Sequence, residues 1–83
     1  MKTAIRRILS ESGGLDVPVD SLTDKSDLYA AGLSSLATVH LILALEAEFG
    51  IEFPACVLTR RLFSSIDSLA TAIGPLQVAK ASA

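Results

Sequence analysis

From Ser34 to Gly50 the chain holds one helical segment that is apolar on more than one side, and this limits what the rest can be. Thr38, Leu41, Ile42, Leu45 and Phe49 recur at three- and four-residue steps and make one stripe. Leu36, Val39, Leu43 and Ala47 make a second, displaced around the axis. Ser34 is the expected N-cap, so the helix begins at Ser34 or Ser35, runs to Phe49 and is closed by Gly50. A helix of this kind is either central in its fold or meets a partner. A chain of 83 residues can hardly enclose it, so the first stripe is expected to be core and part of the second to face outward.

The flanking segments supply the other walls. Ala4, Ile5, Ile8 and Leu9 give residues 2–12 a helical period, with Gly13-Gly14 as the stop. Residues 15–34, with Pro18, Gly32 and a polar run from Ser21 to Asp27, read as a long connection. A loop that long must be anchored or functional; Val17, Val19, Leu22, Leu28 and Tyr29 are its candidate anchors, and Asp27 a candidate cap. Ile51-Glu52-Phe53-Pro54 is expected to be extended, since the residue before a proline avoids the helical region.

Ala55 to Leu62 suits a short third helix. Ser64 or Ser65 caps a last one, with Ile66, Leu69, Ala72 and Ile73 on its apolar face and Asp67 in its first turn. Gly74-Pro75 is expected to end or kink that helix, leaving residues 76–83 as a frayed tail. No alternating pattern demands a sheet. The expected fold is all-α: a single domain over residues 1–83, three main helices plus one short helix, with a long first loop.

Composition removes several functions. One histidine and one cysteine, Cys56, provide no metal cluster and no intrachain disulfide. The longest apolar stretch, Leu41 to Leu45, is far too short to cross a bilayer, and the amino end lacks an export-type apolar core. A cytosolic monomer is expected, with no membrane association. Seven Lys and Arg against nine Asp and Glu give a formal charge of −2, which disfavours nucleic acid as a partner. The scattered glycines make no phosphate-binding loop. Ser35 and His40 are five positions apart on one helix, beyond the spacing at which side chains meet, so no Ser–His pair forms and the chain is not expected to be an enzyme.

Ser35 remains. At a helix start its hydroxyl lies beside unpaired N–H groups and the positive end of the peptide dipoles, a place suited to a negatively charged adduct. Position alone leaves two readings open: a site of modification, or a plain first-turn residue beside a cap.

The run Asp27-Leu28-Tyr29-Ala30-Ala31-Gly32-Leu33-Ser34-Ser35-Leu36, followed by Leu45-Glu46-Ala47-Glu48-Phe49-Gly50-Ile51-Glu52-Phe53-Pro54, resembles the acyl carrier protein family. There a (D/N)-L-x-x-x-G-(L/A)-D-S-L run precedes a long helix ending in L-E-x-x-F-x-(I/V)-x-(I/F)-P. The similarity extends over nearly the whole chain. It implies that Ser35 receives 4′-phosphopantetheine from coenzyme A through a phosphopantetheinyl transferase, and that the arm's thiol holds cargo as a thioester. The helix after Ser35 then becomes the docking surface, with Leu33, Leu36, Val39, His40 and Leu43 as candidate partner contacts, together with Arg60 and Arg61 beyond it.

Ser34 stands where the family usually has Asp, and Ala37 and His40 stand at positions often acidic there. Docking should therefore lean on apolar contact rather than on electrostatic steering. Leu-Tyr-Ala-Ala-Gly-Leu-Ser-Ser is also similar to small stand-alone carriers charged with amino acids. Their loading ligases resemble the catalytic core of a class II aminoacyl-tRNA synthetase without its tRNA-binding part. That resemblance implies glycine or alanine as cargo, passed on to a downstream acceptor enzyme. The alternatives are a specialised fatty-acyl or polyketide-type carrier and an unmodified helical adaptor.

Overall fold

The computed structural model describes the backbone of residues 1–82 and the side chains of residues 1–78. Three α-helices, α1 (Lys2–Ser12), α2 (Ser35–Phe49) and α3 (Ile66–Ser82), are joined by loops that contain three short 3-10 turns, Val19–Ser21, Ala55–Val57 and Arg60–Phe63. No strand occurs among the described residues. The all-α bundle with a long first loop is as expected, and α1 packs against both α2 and α3.

The α1 boundaries match the sequence period, and its buried residues are Ile5, Ile8 and Leu9. In α2 the buried line is Ala37, Leu41 and Leu45, at four-residue steps. Leu41 and Leu45 are fully enclosed, while Ile42, Ala44 and Phe49 flank them half-buried against the core. Gly50 stops the helix in the left-handed region (φ 62°), where its N–H bonds to Glu46 O. Ile66, Leu69 and Ile73 join the core from the last helix, each with no exposed surface, and that helix packs against α1 and the third 3-10 turn.

Three expectations need correction. The Ala55–Leu62 segment is not one helix. Leu58 (ψ 69°) and Thr59 (φ −113°, ψ 165°) break it into two 3-10 turns, and this lets Leu62 and Phe63 enter the core while Cys56 stays outside. Gly74-Pro75 does not end the last helix, which continues to Ser82 with Pro75 inside it. Gly74 lacks the Cβ that would meet the proline ring, which removes one of the clashes a proline makes with its predecessor, and Pro75, which has no N–H to give Thr71 O, faces solvent. Continuing the helix also keeps Leu76 against the core. Residues 76–82 are thus helical, and of the expected frayed tail Ala83 and the side chains from residue 79 onward lie outside the described residues.

The long first loop is anchored, though not by Val17, which is exposed. Leu28 is fully buried and donates its N–H to Ser64 O at 2.9 Å, while Asp67 N–H donates to Asp24 O at 2.9 Å. Arg6 crosses from α1 to the loop carbonyls of Val19 (3.2 Å) and Leu22 (3.0 Å) and to Asp24 Oδ1 (2.8 Å). Lys2 joins Asp24 (3.3 Å) to Asp67 (2.6 Å), so one charge cluster ties α1, the loop and α3. The hydrogen bond from Arg6, then that from Lys2, holds the Asp24 carboxyl below its usual range. The bonds to Asp67 and then Asp24 push the Lys2 ammonium above its usual range.

Candidate functional site

The approach to Ser35 is fixed by a turn that only glycine tolerates. Gly32 has φ +108°, and a Cβ there would lie 2.6 Å from Asp16 Oδ2 and 2.9 Å from Asp16 N. Asp16 is held there because its N–H donates to Ala31 O at 2.8 Å. Asp27 plays its expected capping part: its Oδ1 accepts the Tyr29 N–H at 2.9 Å. After Gly32 the chain turns inward, and Leu33 N–H bonds to Leu28 O at 3.1 Å. Leu33 is consequently 6% exposed and belongs to the core, so the expectation that it meets a partner is withdrawn.

The two adjacent serines then divide the work. Ser34 is extended (φ −94°, ψ 166°), and its Oγ accepts the Ala37 N–H at 3.1 Å. It supplies the cap oxygen that an aspartate gives elsewhere in such motifs, without the charge. Ser35 is exposed, and among the described residues its hydroxyl takes no protein partner. Its backbone oxygen is used instead, accepting Thr38 Oγ1–H at 2.6 Å. One serine is committed to the helix and the other is available to a reagent from solvent.

A groove of about 280 Å³ opens beside Ser35, walled by Tyr29, Thr38, Thr59, Arg60 and Phe63. Arg60 lies with its guanidinium carbon 4.0 Å from the centre of the Tyr29 ring, and Tyr29 Oη–H donates back to the Arg60 carbonyl at 3.0 Å. Arg61 lines two other hollows, of about 460 and 590 Å³, and neither reaches Ser35. The outward stripe of α2 is present as expected: Leu36, Val39 and Leu43 are 67%, 51% and 61% exposed. His40 and Ala47 are exposed with them. From Ser35 to Leu45 the helix carries no Asp, Glu, Lys or Arg, so this face is apolar and uncharged.

An open hydroxyl at a helix start is a place where an anionic adduct is favoured, and here a groove opens beside it. Residues 3–73 match the family described as phosphopantetheine attachment site. The chain belongs to that family. It is 51% identical over 69 residues, 83% of each chain, to the aminoacyl carrier protein of Agrobacterium fabrum (strain C58 / ATCC 33970).

Two crystal structures containing carrier proteins are similar in fold. One holds an engineered Bradyrhizobium japonicum glycine:[carrier protein] ligase with a carrier protein from Agrobacterium tumefaciens and AMP. The match has TM-score 0.85 and 48% identity over 88% of this chain and 97% of that one. In the other, the Bradyrhizobium japonicum ligase is complexed with glycylated carrier protein, with TM-score 0.74 and 27% identity over 86% and 95%. As a family member the chain is a carrier that takes phosphopantetheine and has no catalytic activity of its own. The groove segment is what sequence reasoning missed, because the helical reading of residues 55–62 hid the break at Thr59 that turns Arg60 toward Tyr29.

No helix among the described residues is long and apolar enough to cross a membrane.

Proposed function

We propose that this chain is an aminoacyl carrier protein, in which Ser35 bears 4′-phosphopantetheine and an amino acid such as glycine is loaded by an amino acid:carrier protein ligase. The observation that carries the reading is the division between the two serines. Ser34 Oγ is bonded to the Ala37 N–H, whereas the Ser35 hydroxyl is exposed and unengaged at the start of α2. When bound, phosphopantetheine supplies the thiol that holds the cargo as a thioester. The chain's own residues present the hydroxyl, orient it through the Gly32 turn and offer Leu36, Val39 and Leu43 to the enzymes that act on it. A transferase brings the base and metal for attachment.

The amino acid cargo is supported by the relatives described above and by the packing. Leu41, Leu45, Ile66, Leu69 and Ile73 fill the interior with no exposed surface, so a long acyl chain would have to displace them, while a small aminoacyl group stays outside. Residues 1–83 act as one carrier domain, and a cytosolic setting is part of the proposal, in keeping with Cys56 exposed as a free thiol.

Intact mass after incubation with coenzyme A and a phosphopantetheinyl transferase tests the attachment. One arm is expected on the wild type and on Ser34→Ala, and none on Ser35→Ala. Adding ATP, glycine and a glycine:carrier protein ligase should then add one glycyl group. Modification of Ser35→Ala would refute the attachment site, and a holo-protein charged only by fatty-acyl-activating enzymes would refute the cargo.

A further inference from the structure

Arg60 differs from the cations of α1 in having no carboxylate partner among the described residues. Lys2, Arg6 and Arg7 each pair with a carboxylate, of Asp24 and Asp67, of Asp24, and of Glu48 respectively. Arg60 pairs with none among the described residues, and none of its guanidinium N–H groups bonds to a protein acceptor there. Its position is nonetheless fixed twice over, by the ring of Tyr29 beneath it and by the Tyr29 hydroxyl bonded to its own carbonyl. Asp27, which lines the neighbouring hollow with Arg60, accepts the Tyr29 N–H at one carboxylate oxygen and makes no ion pair with Arg60. The result is a held guanidinium with its donors free, on the wall shared by the groove that contains Ser35 and the neighbouring hollow lined by Lys25, Asp27 and Arg61.

We infer that Arg60, seated on Tyr29, binds the phosphodiester of the arm attached at Ser35 and draws the first part of that arm into the groove between α2 and the third 3-10 turn. This rests on the attachment reading above. A phosphodiester carries one negative charge next to oxygens that a guanidinium fork can bond in pairs, and Arg is better suited to this than Lys. The ring underneath reduces the freedom lost when the pair forms and leaves the donor edge of the fork open. Unpaired N–H groups at the start of α2 face the same anion. Arg61, next in sequence, lies outside this groove and is the internal control.

The test uses 15N-labelled holo-protein whose single modification has first been confirmed by mass. Apo-to-holo amide shift changes are measured together with 31P relaxation of the arm's phosphate. In the wild type, shift changes are expected at Tyr29, Thr38 and Thr59. Arg60→Gln should reduce them by about threefold and slow the 31P relaxation, as for loss of an exposed charge-assisted pair. Arg60→Lys should recover part of the effect, and Arg61→Gln should match the wild type. Raising salt to about 1 M should bring the wild type to the Arg60→Gln level. Shift changes and relaxation unaltered in Arg60→Gln, or lowered equally by Arg61→Gln, would overturn the inference while leaving attachment intact. An absent mass increment overturns the attachment reading itself, before any spectrum is recorded.

Discussion

Replacing Leu45 and Leu43 separately by alanine tests how α2 sits in the bundle, since the two positions share a helix but not an environment. Leu45 has no exposed surface, whereas Leu43 is 61% exposed. Leu45→Ala removes three buried carbons at about 0.8 kcal/mol each, and a residual cavity adds roughly 1 kcal/mol more, for a loss of about 3.5 kcal/mol. A chain of 83 residues has only about 4–12 kcal/mol of stability to begin with, so the variant should be near the edge of folding. Its thermal midpoint should fall by about 15–25 °C. Leu43→Ala should change stability by less than about 0.5 kcal/mol, because little burial is lost and alanine is the better helix former. Urea unfolding followed by circular dichroism gives both values, with the slope checking that the unfolded reference is shared. Equal losses in the two variants would show that the inward and outward faces of α2 are misassigned.

Val39→Asp, on the outward stripe, should leave the thermal midpoint within a few degrees of wild type and lower kcat/KM for ligase charging by roughly tenfold or more, since a charge is placed in an apolar contact. A variant that unfolds instead would place Val39 inside. Asp24→Asn should lower the thermal midpoint at neutral pH by breaking the links to Arg6 and Lys2. The folded Asp24 carboxyl titrates below its unfolded counterpart, so its contribution is fully present above the ordinary carboxylate range and is lost as pH falls through the depressed value. The gap between wild type and Asp24→Asn should therefore be constant down to about pH 4 and shrink below it; a gap that widens in acid would contradict this.

The parts of the fold legible in the sequence were those set by period and by caps. The α1 boundaries, Ser34 at the head of α2, Gly50 at its foot and the outward line of Leu36, Val39 and Leu43 follow from spacing, because each depends on neighbours within one or two turns. Leu33 was misread because its direction is decided by the positive φ of Gly32 before it, which reverses the chain, and by a hydrogen bond to Leu28. Residues 55–63 are governed by tertiary demand: Leu62 and Phe63 must both be buried, which a continuous helix from Ala55 does not arrange. Pro75 was expected to end or kink the helix because it has no N–H to give the carbonyl four residues back, and no short sequence window shows that Leu76 beyond it packs on the core. Ser34 and Ser35 were already told apart in the sequence, as cap and as candidate attachment residue, and the Ala37 N–H bond to Ser34 Oγ bears out the cap.

The lack of charge along the first three turns of α2 bears on how such a protein tells its enzymes apart. A face without Asp, Glu, Lys or Arg gives little electrostatic means of rejecting one partner or steering another toward it. On the proposed docking role, selectivity at this face rests on the sizes and shapes of Leu36, Val39 and Leu43. Retargeting the carrier to a different enzyme is accordingly a problem of side-chain volume, to be approached by trading bulk at these positions instead of by swapping acids for bases.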